Sequence, residues 1–445
     1  MNIFIEGGTV VTMDAQGRVF DGDVYIEGGR IRALGPHGTV RPPAGTRTLR
    51  AQGCYVLPGL IQTHVHLCQT LFRGHAENRP LMPWLKERIW PYEGAHTKRS
   101  LAASSRLGIA ELLLGGTTAA LDMGTVQHTD AIFEAARDMG IRLTSGKTMM
   151  DKGSPRPGGL KETTQESLDK SAKLCRKWHG VEDGRLRYAY APRFILSCTK
   201  TLMKQVAHDA RDAGVLIHTH ASENPGELEA VKKLCGKPNI EALHDLGISG
   251  DDVVLAHCVH TSAKERKLLA KTGTAVAHCP STNLKLASGI ADIPQLQAAG
   301  IRVGIGADGA PCNNRMSMFT EMRSASLLQK PKHGATAMSA KDVLHMATVG
   351  GADVLGLSDA GRLQEGMRGD VIVVDGTKPH MRPLPEDPYD ALVFSAEASD
   401  VRDVFVDGEW LVRGGELARV SSHLLCDAAE HELQKLLKRV AKARR

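Results

Sequence analysis

Between residues 58 and 360 the chain alternates short β-branched apolar runs with longer amphipathic stretches. The runs are "GLIQTHVH", "TTAALDM" (117–123), "IRLTSGKTMM" (141–150), "LRYAYAPRF" (186–194), "GVLIHTH" (214–220), "DDVVLAHC" (251–258), "GTAVAHCP" (273–280) and "IRVGIGADG" (301–309). Stretches such as "TDAIFEAARDMG", "TLMKQVAHDARDAG" and "AKERKLLAKTG" have helical periodicity and close on a glycine, the usual residue just past a helix end. Eight strand–helix units in succession predict a (β/α)₈ TIM barrel over 58–360. The two ends of the chain have a different texture. Period-two runs with Gly turns fill 1–57 ("IFIEGGTVVTM", "GDVYIEGGRIRALG", "GTRTLRAQGCYVLPG") and return in "GDVIVVDG" and "VRDVFVDGEWLVRGGEL". This predicts one small β-sandwich built from both termini, 1–57 with 361–420, and a C-terminal basic helix over 421–445.

Composition narrows the class without choosing the chemistry. Hydrophobic residues make up 42% and charged residues 24% of the 445, as in an ordinary globular enzyme. No apolar run approaches the roughly 18 residues of a membrane span, and "MNIFIEGG" is not the start of a secretory signal. The nine cysteines are scattered, odd in number and never spaced CxxC, which predicts free thiols and a cytoplasmic protein. The net charge of +6 is concentrated in "LQKLLKRVAKARR", read as a solvated helix face or terminus; with aromatics at 4%, no nucleic-acid partner is expected. A homo-oligomer is compatible with such a barrel, but no stretch specifies one.

The chemistry lies at the strand ends, which converge on one face of a barrel. "THVH" places His64 and His66 on the same side of the first strand, because strand side chains alternate. An isolated HxH is compatible with two ordinary core histidines. Here the fifth run also ends in His218 and His220, the sixth in His257, the seventh in His278 and the eighth in Asp308. That recurrence predicts one divalent metal, Zn²⁺ or Fe²⁺, held by His64, His66, one fifth-strand histidine and Asp308. Glu223, just past the fifth strand, chooses His220 as the ligand and leaves His218 one layer deeper. From there the carboxylate can exchange protons with a metal-bound water. No CxxC supplies a His/Cys/Cys site, since "PCNNR" lacks the second thiol.

"PGLIQTHVHL", "IHTHASEN", "LAHCVH", "AHCPSTNLKLASGI" and "GIGADGAPCNNRMSMFTEMR" together resemble the amidohydrolase superfamily, in its branch of purine and triazine aminohydrolases. The resemblance runs from about residue 1 to 420. It is strongest to 5′-methylthioadenosine/S-adenosylhomocysteine deaminases and 5′-deoxyadenosine deaminases. It implies hydrolytic deamination of a small purine nucleoside, with a mononuclear metal on His64, His66, His220 and Asp308. It further implies a proton-shuttling Glu223, and His257 orienting the nucleophile or polarising the substrate, with Asp308 assisting. Trp84 and Glu93 in "PWLKERIWPYE" match substrate-binding positions, the glutamate taking the ribose hydroxyls.

Two positions depart from that pattern. "APRF" puts Arg193 where many of those deaminases carry a histidine. With Gln69 and "SEN", this is similar to guanine deaminases, whose matching arginine and glutamine hold the purine ring. A second family arginine has only Arg156 as a candidate. The alternative is therefore a guanine, other free-base or triazine aminohydrolase, and the remote one a non-catalytic metal-binding scaffold.

Overall fold

The computed structural model describes residues 2–153 and 157–443; Arg156 lies outside them. Eight parallel strands follow one another around a barrel in chain order. They are β1 (Leu60–Val65), β2 (Thr117–Asp122), β3 (Arg142–Ser145), β4 (Leu186–Pro192), β5 (Leu216–Ala221), β6 (Val253–His257), β7 (Ala275–His278) and β8 (Val303–Ile305). Each falls within one of the eight apolar runs, except that β5 continues one residue past its run to Ala221. β1, β2 and β3 are buried along their whole length, as strands covered on both faces must be. The helices between them end where the glycines stand: Asp130–Met139 stops at Gly140 and Ala263–Thr272 at Gly273, both glycines left-handed.

The barrel closes between its first and last strands. Val65 pairs in parallel with Asp308, the Asp308 N–H donates to the His64 carbonyl at 3.0 Å, and the Ala307 N–H donates to Gln62 Oε1 at 3.0 Å. The glycines of "GIGADG" permit this approach. A Cβ on Gly306 would sit 2.6 Å from both the backbone N and O of His64, and one on Gly304 would sit 2.3 Å from Thr63 Cγ2. No side chain fits there.

The nine strands from the two termini form one connected sheet, in which Cys54–Pro58 pairs antiparallel with Val371–Asp375. Ile31 near one end of the pairing order and Trp410 near the other share one apolar cluster with Ile5, Val56 and Phe405. The sheet thus curls over its own core. Arg142 at the base of β3 joins it to the barrel: Nε donates to Asp370 (2.9 Å) and Nη2 to Asp407 (2.6 Å), almost fully buried. The basic tail forms a helix, Ser422–Ala443, that buries Leu425, Ala429, Leu436 and Val440 while His431, Gln434, Lys438 and Lys442 stay exposed. Its spacing of apolar residues gives a docking stripe beneath the charged face. No helix among the described residues is long and apolar enough to cross a membrane.

Gly306→Ala is expected to force β8 away from β1. Thermal unfolding should show a loss of about 1–3 kcal/mol, typical of an overpacked core, and metal content measured on the same sample should fall with it.

Candidate active site

Four of the strand-end groups meet at one point. Asp308 Oδ1 lies 3.3 Å from His64 Nε2 and 3.3 Å from His66 Nε2, and His66 Nε2 lies 3.3 Å from His220 Nε2. Ligand atoms about 2.1 Å from a shared tetrahedral centre stand about 3.4 Å apart, so the spacing fits a common cation. The proton positions fit as well. His220 Nδ1 is 2.7 Å from the Arg193 carbonyl, which can only accept. The proton therefore sits on Nδ1 and the Nε2 lone pair faces the centre. His64 Nδ1 lies 2.9 Å from His218 Nε2, while His64 Nε2 is buried without a hydrogen bond. An orphaned nitrogen in that position is what a ligand looks like. His220 thus faces the centre, while His218 lies behind His64 and is bonded to its Nδ1.

Burial sorts the charges. Desolvation lowers the pKa of His64, and of His66 and His220 well below the ordinary imidazole value, keeping the neutral form that binds metal. Burial would raise Asp308, but His64 and the other imidazoles outweigh it and hold the carboxyl well below its usual range. Glu223 is pushed up to about 7 by burial, with His257 opposing the rise. A carboxyl so tuned can both take and give a proton near neutrality. His257 goes the other way from the other histidines: burial lowers it, but Glu223 and Asp308 more than compensate. Its Nε2 stands 3.7 Å from Glu223 Oε2 and 4.0 Å from Asp308 Oδ2, and Nδ1 is 3.0 Å from Asn283 Oδ1. Its nitrogen also falls within 4.8 Å of ligand atoms on His64 and His220.

The backbone at this rim is bent to aim these groups. Ser222, His257 and Asp308 all have left-handed φ (53°, 74° and 62°), a conformation that costs a non-glycine residue energy and clusters at functional sites. Glu227, one helical turn after Glu223, accepts the Glu223 N–H at 2.8 Å and the Asn239 side chain at 2.7 Å. Ser288 Oγ donates to Glu223 Oε1 at 3.3 Å.

Above the centre opens a cleft lined on its polar side by His66, Gln69, Arg193, His220, Glu223 and His257. Leu81, Trp84, Leu85, Phe194 and Leu286 form the apolar side. Glu93 is not in the lining. It lies behind, where Arg193 Nη1 and Nη2 donate to its two oxygens (2.6 and 3.3 Å) and Gln69 Nε2 donates to Oε1 at 2.9 Å. Gln69, Glu93 and Arg193, read separately from the sequence, form one buried unit, with Gln69 Oε1 left unpartnered. His278, the remaining strand-end histidine, is buried with neither ring nitrogen bonded, and burial takes its pKa down to about 3.

Sequence reasoning passed over Asp122. It ends β2 and accepts from Leu67 N (2.8 Å), Gly124 N (2.9 Å) and Ser145 Oγ (2.6 Å), fixing the turn that follows His66. The strand-end rule applied to "TTAALDM" would have found it. Glu227, Asn283 and Ser288 carried no such signal, because their positions are set by helix and loop packing.

Residues 55–411 match the model of the amidohydrolase family. A 5-methylthioadenosine/S-adenosylhomocysteine deaminase from Desulforudis audaxviator is 37% identical over 447 residues, covering 99% of this chain and all of the relative. Among solved structures, an adenosine deaminase from Xanthomonas campestris with bound zinc superposes with a TM-score of 0.92 at 29% identity, covering 98% of each chain. An atrazine chlorohydrolase from Arthrobacter aurescens complexed with zinc gives 0.91 at 28% identity, covering 97% of this chain and 100% of the other.

Asp308→Asn removes the only carboxylate of the four-group cluster and should lower bound metal at least about tenfold, the range seen when ligand shells are disturbed. Elemental analysis of the purified variant beside wild type checks this, and an unchanged metal content would remove Asp308 from the ligand set.

Proposed function

The chain belongs to the amidohydrolase family, and on that premise we propose that it hydrolyses the 6-amino group from an adenosine analogue, giving ammonia and the inosine analogue. The observation that carries this reading is the Glu223 carboxyl, pushed up to about 7 by burial, 3.7 Å from His257 and facing the cleft beside the four-group cluster. The relatives named as methylthioadenosine/S-adenosylhomocysteine deaminases support the substrate class, and the apolar side at Leu81, Leu85 and Leu286 suits a 5′-deoxy or 5′-thioether group over a phosphate.

His64, His66, His220 and Asp308 would hold one divalent metal, which we assign as zinc on the strength of their donor set and the zinc-bound neighbours. When bound, such an ion makes water nucleophilic at neutral pH. Glu223 accepts the proton of the attacking water and delivers it to ring N1, which makes C6 electrophilic. The water oxygen bonds to C6. His257, anchored through Asn283, directs its Nε2 at the oxygen on which charge builds, while Asp308 accepts a hydrogen bond from that oxygen's remaining O–H. The second water proton then passes through Glu223 to the amino group, the C6–N bond breaks and ammonia leaves. Gln69, Trp84, Glu93 and Arg193 would bind the substrate. All nine cysteines are unpaired, which suits a reducing compartment, and we assign the enzyme to the cytoplasm.

One observation favours a second reading within the family. The two oxygens of Glu93 already accept three hydrogen bonds from Arg193 and Gln69, so a ribose diol would have to compete for them. A free base such as guanine would not need Glu93 and could meet Arg193 directly. Ammonia release from 5′-deoxyadenosine, methylthioadenosine, S-adenosylhomocysteine, adenosine and guanine, assayed side by side, decides between them. Nucleosides are expected to lead. Glu93→Gln is the variant to use, because Glu93→Ala would leave Arg193 buried without a partner at a cost of about 3–5 kcal/mol.

Glu223→Gln should keep its metal and lose at least about 100-fold in turnover, the usual contribution of a positioned acid–base group. Wild-type rates in that variant would end the proton-shuttle role. Removing metal with a chelator should abolish ammonia release, and adding back Zn²⁺ should restore it.

A further inference from the structure

The substrate side of the cleft is tied to the far end of the chain. The short helix Trp90–Gly94 carries Glu93 and ends at Ala95, whose carbonyl accepts from Arg439 Nε of the C-terminal helix at 2.8 Å. Arg439 Nη2 also donates to Ser100 Oγ at 3.3 Å. From Ser100 the hydrogen bonds run inward in one direction. His96 Nε2 lies 2.8 Å from the Cys68 carbonyl, which can only accept, so the imidazole proton is on Nε2. Nδ1 must then accept, and it does so from the Ser100 hydroxyl at 3.0 Å. Burial keeps His96 neutral, with a pKa down to about 4, so this polarity is stable. Cys68 precedes Gln69, whose amide donates to Glu93. The route leads from the Arg439 guanidinium to both ends of the Gln69–Glu93 contact.

Packing follows the same line. Ala429, Leu436 and Val440 of the C-terminal helix belong to one apolar cluster with Trp84, Leu85, Trp90, Phe194 and Leu286, four of which line the cleft. None of these contacts reaches His64, His66, His220, Glu223 or Asp308.

We propose that the C-terminal helix is a brace for the substrate-binding half of the cleft, with Arg439 as the positioning residue that holds Gln69 and Glu93 in register. The proposal rests on the reading that this half binds substrate. It assigns the tail a role in recognition rather than in the hydrolytic step, because the bonds and packing end at Gln69, Glu93 and the apolar wall.

The test uses the full chain with Arg439→Ala, Arg439→Lys and Ser100→Ala. Arg439→Ala removes both bonds, to Ala95 and Ser100, and should raise KM for the preferred adenosine analogue about tenfold. Its kcat should stay within about twofold and its metal content should not change, since uniform binding alone is lost. Lysine keeps the charge without the fork and should recover part of the KM. Hydrogen exchange should quicken across 81–96 and not in β5 to β8. Unchanged KM with unchanged exchange would overturn the brace, as would kcat and metal content falling together, the mark of general destabilisation. If Arg439→Ala does not fold, Ser100→Ala, which leaves the Arg439–Ala95 bond in place, is read by the same criteria. Should the wild type act on no adenosine analogue, the functional reading fails, while the exchange pattern still decides the brace.

Discussion

Closure of the barrel at Val65 and Asp308 is the constraint on which the site depends. A parallel sheet of eight strands could remain open, and then the first and last strands would present their polar ends to different places. Here the Asp308 N–H bonds to the His64 carbonyl, so the backbone contact that closes the ring also sets the carboxylate beside His64 and His66. Gly304 and Gly306 make the approach sterically allowed, and Gln62 reinforces it from β1. Fold closure and the assembly of this cluster are one event.

Once assembled, the cluster is governed by the contest between desolvation and nearby charge. Every group in it is buried except the half-buried His220, and loss of water by itself disfavours every charged form. Three imidazoles yield to it and become neutral donors. Asp308 does not, because imidazoles on several sides stabilise its anion. Glu223 has less such support and rises to about 7, while His257 is carried upward by the two carboxylates it faces. One physical effect, opposed to different extents, leaves neutral imidazoles, a carboxylate anion and a carboxyl near 7 within a few ångströms of one another.

The cleft is accordingly divided. Its metal-side groups sit on strand ends, held by the sheet itself. Its recognition side is built from the 67–72 turn and the 81–94 helices, which have no sheet to fix them. That side is steadied by a buried Arg193–Glu93 pair, by His96 and by the docked C-terminal helix. The supports of that side are therefore separate from those of the strand-end cluster.

The eight strands and the helix-ending glycines are legible in the chain alone, because each is a local matter of periodicity or φ preference, and the strand-end histidines carry their chemistry in their residue type. His64 and His66 share a strand face whatever surrounds them, and Glu223 follows His220 by chain distance alone. What the sequence could not state is how partners distant in the chain meet. Gln69, Glu93 and Arg193 look like three independent contacts in the sequence and are one hydrogen-bonded unit in the fold. The basic tail reads as a solvated face, yet its apolar stripe packs against Trp84, Leu85 and Trp90, and its Arg439 bonds to Ala95 and Ser100, some 340 positions earlier. Those pairings were decided only by the tertiary structure, since hydrogen bonds and packing between remote segments depend on loop paths that no local pattern encodes.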